Sequence, residues 1–137
     1  MHSVAARRAA LDAAIAVEAS EPLWAQVVGR LACLRGISTL TAFGLAVEVG
    51  DWQRFSGRSI GAYLGLVPSE SSSGERRRQG AITKTGNTHA RRLLVEAAWH
   101  QRRPPWRASR ELARRREGQP AAVRARAELA NRRLYRR

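Results

Sequence analysis

One stretch of the chain, VPSESSSGERRRQGAITKTGN at residues 67–87, cannot build a hydrophobic core. Serine, threonine, glycine and arginine dominate it, and polar residues of this kind are mostly exposed in folded proteins. Any core must therefore come from the segments on either side, and 137 residues suffice for one domain with a modest core. The composition leaves two interpretations open: a solvated linker, or a flexible loop that carries a nucleophile to a phosphate.

The flanking segments carry apolar residues at helical spacing, so a mainly α fold is expected. Leu23, Val27 and Leu31, for example, recur every fourth residue. Helices are expected over 4–18, 22–34, 40–49, 57–64 and 88–102, with two Arg-rich helices near 107–116 and 120–136. The last two hold too few apolar groups for a core of their own. They should dock on the main body or fold against nucleic acid.

The segment LRGISTL around Gly36 resembles the turn of a helix-hairpin-helix module. In such a module, backbone N–H groups at the turn and at the start of the next helix hold a phosphate. Ser38 stands where a second turn glycine is usual, so a plain helical hairpin remains an equal alternative.

Charge is distributed unevenly along the chain. Residues 1–75 carry six arginines against seven acidic residues, a net charge of −1. Residues 76–137 carry eighteen arginines and one lysine against four acidic residues, a net charge of +15. A total of +14 points to a polyanionic partner, above all nucleic acid. The second half is therefore expected to form the surface that faces this partner.

Several other classes of protein are disfavoured. No apolar run approaches the roughly 18 residues of a membrane span, and no secretory signal is evident. Cys33 is the single cysteine and is expected to be a buried thiol in a cytoplasmic protein. His2, His89 and His100 are scattered, so no metal site made by this chain alone is expected. A hydrolase triad is not supported, because no pairing of a His with an Asp can be argued from the sequence.

The polar stretch holds groups that suit phosphoryl transfer. In that chemistry a protein acts mainly by positioning the reactants and neutralising charge on phosphate oxygens. Ser73 offers a hydroxyl, Gly74 a hinge, and the run Arg76, Arg77 and Arg78 forked donors that can grip phosphate. Composition alone favours the solvated linker over this interpretation.

A family resemblance changes that balance. The stretches GLVPSE, SSG, a basic run, ITKTGN and RRLLVEAAW occur in this order between about Leu34 and His100. Together they resemble the C-terminal domain of insertion-sequence transposases of the IS-one-ten group, the bridge-RNA-guided DEDD/serine recombinases. The flanking segments also resemble the usual termini of that group.

The resemblance implies a reaction and its residues. A serine of this domain would attack a DNA phosphate and form a phosphoserine link that conserves bond energy for rejoining. The family's Ser-Gly position matches Ser73-Gly74, so Ser73 is the expected nucleophile, with Ser72 as its rival. The residues expected to bind nucleic acid are Arg76, Arg77, Arg78, Lys84, Asn87, Arg91 and Arg92.

The resemblance also implies an organisation. Residues 1–33 would form N-terminal helices, 34–103 the transposase C-terminal domain, and 104–137 a basic helical arm. The family's N-terminal ribonuclease-H-like domain, with its four metal-binding acids, is missing here, so a truncated element is expected. This chain would bind no cofactor alone, and Mg²⁺ only together with that domain. It would bind DNA or guide RNA without recombining alone, and the full-length family would form homo-oligomers.

Two further interpretations remain. A non-catalytic nucleic-acid-binding helical module fits the helical hairpin and the basic arm. A ribosome-associated basic protein fits the charge but not the Ser-Gly loop.

Overall fold

The computed structural model describes residues 3–73, 76–104 and 108–136, and for residues 71–73 and 76–78 it describes the backbone alone. These parts confirm the prediction of a mainly α fold. The α-helices are α1 (Val4–Glu18), α2 (Pro22–Leu31), α3 (Thr39–Val49), α4 (Ser59–Tyr63), α5 (Thr88–Trp99), α6 (Arg110–Glu117) and α7 (Ala121–Tyr135). Single 3₁₀ turns cover Trp52–Arg54 and His100–Arg102, and two strands follow α4: β1 (Pro68–Ser73) and β2 (Arg76–Ile82).

Helix α3 lies at the centre of the core and packs against both α2 and α5. Its buried residues are Ala42, Leu45, Ala46 and Val49. An edge-to-face contact between Trp24 of α2 and Phe43 of α3, with ring centroids 5.6 Å apart, fixes the first pair. Gly44 lets α5 approach closely, because a Cβ there would lie 3.0 Å from Leu93 Cδ1.

Helix α5 runs antiparallel to α3. Gly36, just before α3, packs on the last turn of α5, where an added Cβ would collide with the carbonyl oxygen of Ala97. At the opposite end, Glu48 in the last turn of α3 contacts Asn87 at the start of α5. The α3–α5 pair therefore has two distinct ends, and α5 separates them by about 18 Å at 1.5 Å per residue.

Over most of its length, the segment after residue 67 that was predicted as a flexible loop consists of two paired strands. Residues 68–73 pair antiparallel with 76–82, with Ser73 opposite Arg76 and Ser72 opposite Arg77. Pairing satisfies the backbone N–H and C=O groups of a segment that has no core to bury. Ser69 Oγ also donates to the carbonyl of Ala81 at 3.0 Å. Gly74, the predicted hinge, lies outside the described residues.

Two glycines with positive φ lock the base of this hairpin onto α4. Gly65 has φ 65° and Gly86 has φ 87°, a region that favours glycine. A Cβ at Gly65 would collide with the carbonyl of Thr85, and one at Gly86 with the carbonyl of Tyr63. The amide of Lys84 donates to the Gly65 carbonyl at 3.1 Å. The chain therefore enters and leaves the hairpin through one tightly bonded base.

Helices α6 and α7 dock on the turn between α2 and α3, one of the two possibilities that the sequence left open. Leu112 and Ala127 are buried. Arg116 Nε donates to the carbonyl of Cys33 at 3.1 Å, and Asn131 Oδ1 accepts from the amide of Arg35 at 3.3 Å. Cys33 is fully buried, as expected. Non-local hydrogen bonds thus attach the Arg-rich helices to the core.

The other sequence expectations fare as follows. Helices α2 and α3 form a hairpin with Gly36 at its turn, where φ is 82°; its resemblance to helix-hairpin-helix modules stays a prediction, as do the three domain boundaries. Helix α1 contributes no buried residue. Within the described parts of the chain, every helix is too short or too polar to cross a membrane.

Candidate nucleic-acid interface

Four polar residues join the last turn of α3 to the first turn of α5, and we call them the Glu48 network: Glu48, Tyr63, Asn87 and His89. Asn87 Nδ2 donates to Glu48 Oε2 at 2.6 Å, and His89 Nδ1 lies 2.6 Å from Glu48 Oε1. Tyr63 donates its hydroxyl proton to the Glu48 carbonyl at 2.9 Å. The network therefore ties the base of the hairpin to the core.

The electrostatics of this network favour an ionised Glu48. The hydrogen bond from Asn87, and then that from His89, lowers the pKa of the Glu48 carboxyl group. A carboxylate at the end of α3 opposes the dipole of its own helix, but it faces the positive N-terminus of α5. The Glu48 carboxylate is thus a shared hydrogen-bond acceptor for Asn87 and His89.

Both the oxygen and the nitrogen of the Asn87 side-chain amide form hydrogen bonds within the fold. Its Oδ1 accepts from the amide of Ala90 at 2.8 Å, which caps α5 as the sequence predicted. Its Nδ2 belongs to the Glu48 network. A contact between Asn87 and nucleic acid stays a prediction, and the cap gives this residue a structural role in any case.

Arg91 and Arg92 are adjacent but differ in their surroundings. Arg91 Nη1 donates to the carbonyls of Leu64 at 2.9 Å and Thr85 at 3.3 Å, so its guanidinium clamps the base of the hairpin. Arg92 is exposed and lies 3.7 Å from Glu96 of the next helical turn. Lys84 is exposed too, with the unusual φ of 57°. Arg92 and Lys84 can reach a partner, whereas Arg91 already has acceptors.

The predicted nucleophile lies on the hairpin. Ser73 ends β1 and Ser72 precedes it, and the backbone of each pairs with that of an arginine of β2. Their side chains, and those of Arg76, Arg77 and Arg78, lie outside the described residues. The strand pairing thus places the backbone of the serine run opposite the backbone of the arginine run. The roles of these side chains stay predictions.

The described parts of the chain contain no recognisable metal site. Among residues 3–73, 76–104 and 108–136, no three His, Cys, Asp or Glu residues are grouped so that they could hold a metal ion. His89 is bonded to Glu48, and His2 lies outside the described residues.

Sequence reasoning missed the part that Glu48, Tyr63 and His89 take in this region. Glu48 and His89 are 41 positions apart, so no local spacing joins them. The one signal was Asn87, whose role as an N-cap located the end of α5 that the network joins.

These features define a small, strongly basic, mainly helical domain that carries a polar hairpin on an anchored base. The sequence model of the family described as Transposase IS116/IS110/IS902 matches residues 28–113, more than half of the chain. The chain belongs to this family, which confirms the resemblance found in the sequence.

Individual relatives agree. A protein of Sinorhizobium fredii named as transposase y4qE is 49% identical over 96 residues, which are 68% of this chain and 25% of that protein. The transposase for insertion sequence element IS1533 of Leptospira borgpetersenii is 36% identical over 120 residues, 86% of this chain and 34% of the relative. The transposase for IS1328 of Yersinia enterocolitica is 43% identical over 70 residues, 50% of this chain and 21% of the relative.

The chain thus spans about a fifth to a third of the length of these relatives. No solved structure matches it.

Proposed function

We propose that this chain is the part of a DNA transposase that supplies the serine nucleophile for strand cleavage and rejoining. The observation that carries the proposal is the hairpin register, which sets Ser73 opposite Arg76 and Ser72 opposite Arg77. Membership of the transposase family supports a role in DNA transposition. DNA is therefore the proposed partner, and guide RNA a further one.

The proposed chemistry is a transesterification at a DNA phosphorus. The Ser73 oxygen forms a bond to phosphorus while one bridging P–O bond of the strand breaks. The hydroxyl proton leaves to a base or to water, and the departing strand oxygen takes up a proton. The exchange of one phosphate ester for another needs no energy source, so the link can be reversed in the rejoining step. Arg76, Arg77 and Arg78 would neutralise the phosphate oxygens.

The anchored base of the hairpin supports positioning of the reactive group. Arg91 and the Glu48 network hold the strand ends against α4 and α5. Reaction rates depend steeply on the position of the attacking atom, and a nucleophile on a firm base is better placed than one on a free linker. The structure therefore favours this function over a solvated linker.

The proposal includes dependence on a second domain. The three relatives described above are about three to five times longer than their matches here. A ribonuclease-H-like domain would bring the Mg²⁺ site, and the assembled protein would act as a homo-oligomer. This chain alone would bind nucleic acid without completing recombination.

A covalent-trapping experiment tests the proposal. The chain is mixed with suicide DNA substrates, alone and together with the N-terminal region of a family transposase. An adduct that disappears in Ser73→Ala and survives in Ser72→Ala supports Ser73, and the reverse pattern assigns Ser72. If no adduct forms in any combination, catalysis is excluded for this chain.

The second candidate is a non-catalytic nucleic-acid-binding module. The net charge of +15 over residues 76–137 favours it, and it requires no reactive serine. Either function predicts steep salt dependence: with six duplex phosphates neutralised, log K falls with log salt at a slope of about −5. A flat response would contradict both.

A further inference from the structure

A cavity of about 410 Å³ lies at the end of α5 opposite to the hairpin. Its size lies within the range of ligand-binding sites in proteins. Its wall is built from the α2–α3 turn, the end of α5 and the start of α6. We call it the arginine pocket and define it by the residues that carry the argument: Arg35, Ser38, His100, Arg103, Ser109 and Arg115.

Two helix N-termini open into the arginine pocket. Ser38 caps α3 and Ser109 caps α6, and each accepts a backbone N–H at 3.2 Å. An α-helix leaves its first four N–H groups without helical partners, and one cap satisfies only part of them. The positive ends of two helix dipoles therefore converge on one cavity, an arrangement that favours an anion.

Three arginines from different segments add to this field. Arg35 is 7% exposed and donates through Nη1 to the carbonyl of Arg103 at 2.9 Å. Arg115 Nη1 donates to the carbonyl of Ile37 at 3.1 Å. These bonds fix two guanidinium groups in the pocket wall, so they need little reorganisation to bind a ligand.

One buried donor in this wall lacks an acceptor. Arg115 Nε is shielded from solvent and has no hydrogen-bond partner in the described parts of the chain. A buried charged donor without an acceptor is unfavourable by the free energy of its lost hydration. Crowding of positive charge is also visible at Arg35, whose pKa is lowered by burial and then by Arg116 and Arg103. An oxyanion in the cavity would reduce the repulsion between these positive charges.

Acidic residues do not cancel this charge. Glu96 and Glu111 also line the cavity. Glu96 lies 3.7 Å from Arg92 outside the pocket, and Glu111 lies 3.7 Å from Arg115. Three arginines therefore face two carboxylates, and one of these is paired with an outside arginine.

We propose that the arginine pocket binds a phosphate group of a nucleic-acid strand. The proposal adds a second contact to the proposed function and shares its partner, but it needs no reactive serine. The pocket lies about 18 Å from the N-terminus of α5, the length of that helix. Along one strand of a duplex, at about 3.4 Å per phosphate, contacts at both ends would span about five phosphates.

Matched arginine variants of the full chain test the proposal. Arg115→Gln removes a pocket arginine, and Arg114→Gln removes the same charge from an exposed neighbour on α6 that does not line the cavity. Arg103→Gln provides a second pocket variant, with Arg110→Gln as its control. Fluorescence anisotropy measures the affinity for a labelled duplex of about twelve base pairs, more than twice the five-phosphate span.

The pocket variants should weaken strand binding about 10-fold, as loss of a charge-assisted hydrogen bond does, and the controls about 2-fold or less. Arg115→Lys should recover part of the loss because it keeps the charge. Circular dichroism and thermal melts identify a variant that fails to fold, and Arg103→Gln then decides the result. Equal losses in pocket and control variants would overturn the proposal.

A titration with inorganic phosphate tells whether the pocket binds a phosphate group of a nucleic-acid strand or only free phosphate. Saturable NMR shifts at the amides of residues 38–41 and 109–112, abolished by Arg115→Gln, show an anion in the pocket. These shifts together with weakened strand binding in the pocket variants support the proposal. Phosphate shifts with unchanged strand binding would overturn it and leave a site for free phosphate. A failed Ser73 adduct would not affect either result.

Discussion

At the hairpin end of the α3–α5 pair, the polar side chains form hydrogen bonds within the fold. At the opposite end, three arginines line a cavity. Glu48 accepts from Asn87 and His89, and Arg91 is engaged with two carbonyls. In the arginine pocket, the buried Nε of Arg115 has no acceptor within the described residues. A residue typical of nucleic-acid binding, Arg91, thus serves the fold, whereas the proposed role of the pocket arginines is to bind a ligand.

The difference follows from how each end is built. At the hairpin end, the Glu48 carboxylate and the carbonyls of Leu64 and Thr85 accept hydrogen bonds from side chains at the start of α5. The pocket end joins three segments that each bring an arginine, and two helix N-termini besides. Complementary charge favours a closed structural unit, and an excess of one sign favours a partner from outside. The following predictions test this contrast, from the largest expected effect to the smallest.

Leu112→Ala should have the largest effect, because the pocket end depends on the docking of α6. Leu112 is buried, and truncation of a buried leucine lowers the free energy of unfolding by about 3 kcal/mol. Leu134→Ala, at a half-exposed position of α7, should change it by less than about 0.5 kcal/mol. Urea denaturation measures both. Similar values for the two variants would show that α6 is not attached to the core in solution.

Glu48→Ala should have an intermediate effect at the hairpin end. The carboxylate accepts from Asn87 and His89, and loss of hydrogen bonds to a charged group costs about 1.5 kcal/mol. Glu96→Ala is the matched control, since the ion pair of Glu96 with Arg92 is exposed and is worth less than about 0.5 kcal/mol. Chemical denaturation at neutral pH measures the difference. Equal losses would mean that the network adds nothing to a surface pair.

The same contact has a defined pH dependence. Because the pKa of Glu48 is lowered in the folded state, its contribution is complete above the ordinary glutamate pKa of about 4.3. It is lost as the pH falls from there through the lowered value. The stability gap between the wild type and Glu48→Gln should therefore close in acid. A gap that widened below pH about 4 would have the wrong sign.

The sequence predicts the elements of this fold better than their contacts. Helical spacing located the helices, and Asn87 was recognised as an N-cap because capping is local. The hairpin was missed because serine, glycine and arginine favour strands poorly, and its pairing depends on a base fixed by Gly65 and Gly86. Arg35 and Arg115 lie eighty positions apart, so nothing local in the sequence indicates that they share a cavity.

Arg91 and Arg92 give the smallest effects and the sharpest internal comparison. Arg91→Gln removes the clamp on the Leu64 and Thr85 carbonyls and should lower the free energy of unfolding by about 1 kcal/mol. Arg92→Gln should change it by less than about 0.5 kcal/mol, because its pair with Glu96 is exposed.

For nucleic-acid binding, the Arg92 variant should show the larger effect and the Arg91 variant the smaller one. If Arg92 contacts a phosphate, its loss reduces the slope of log K against log salt by about 1, uniformly across sequences. Arg91→Gln should leave that slope unchanged, because its guanidinium is already bonded within the fold. Denaturation and salt titration of the same two proteins measure both quantities. A smaller slope for Arg91→Gln than for Arg92→Gln would mean that the bound strand displaces the clamp, and the hairpin end would then be as open to a partner as the arginine pocket.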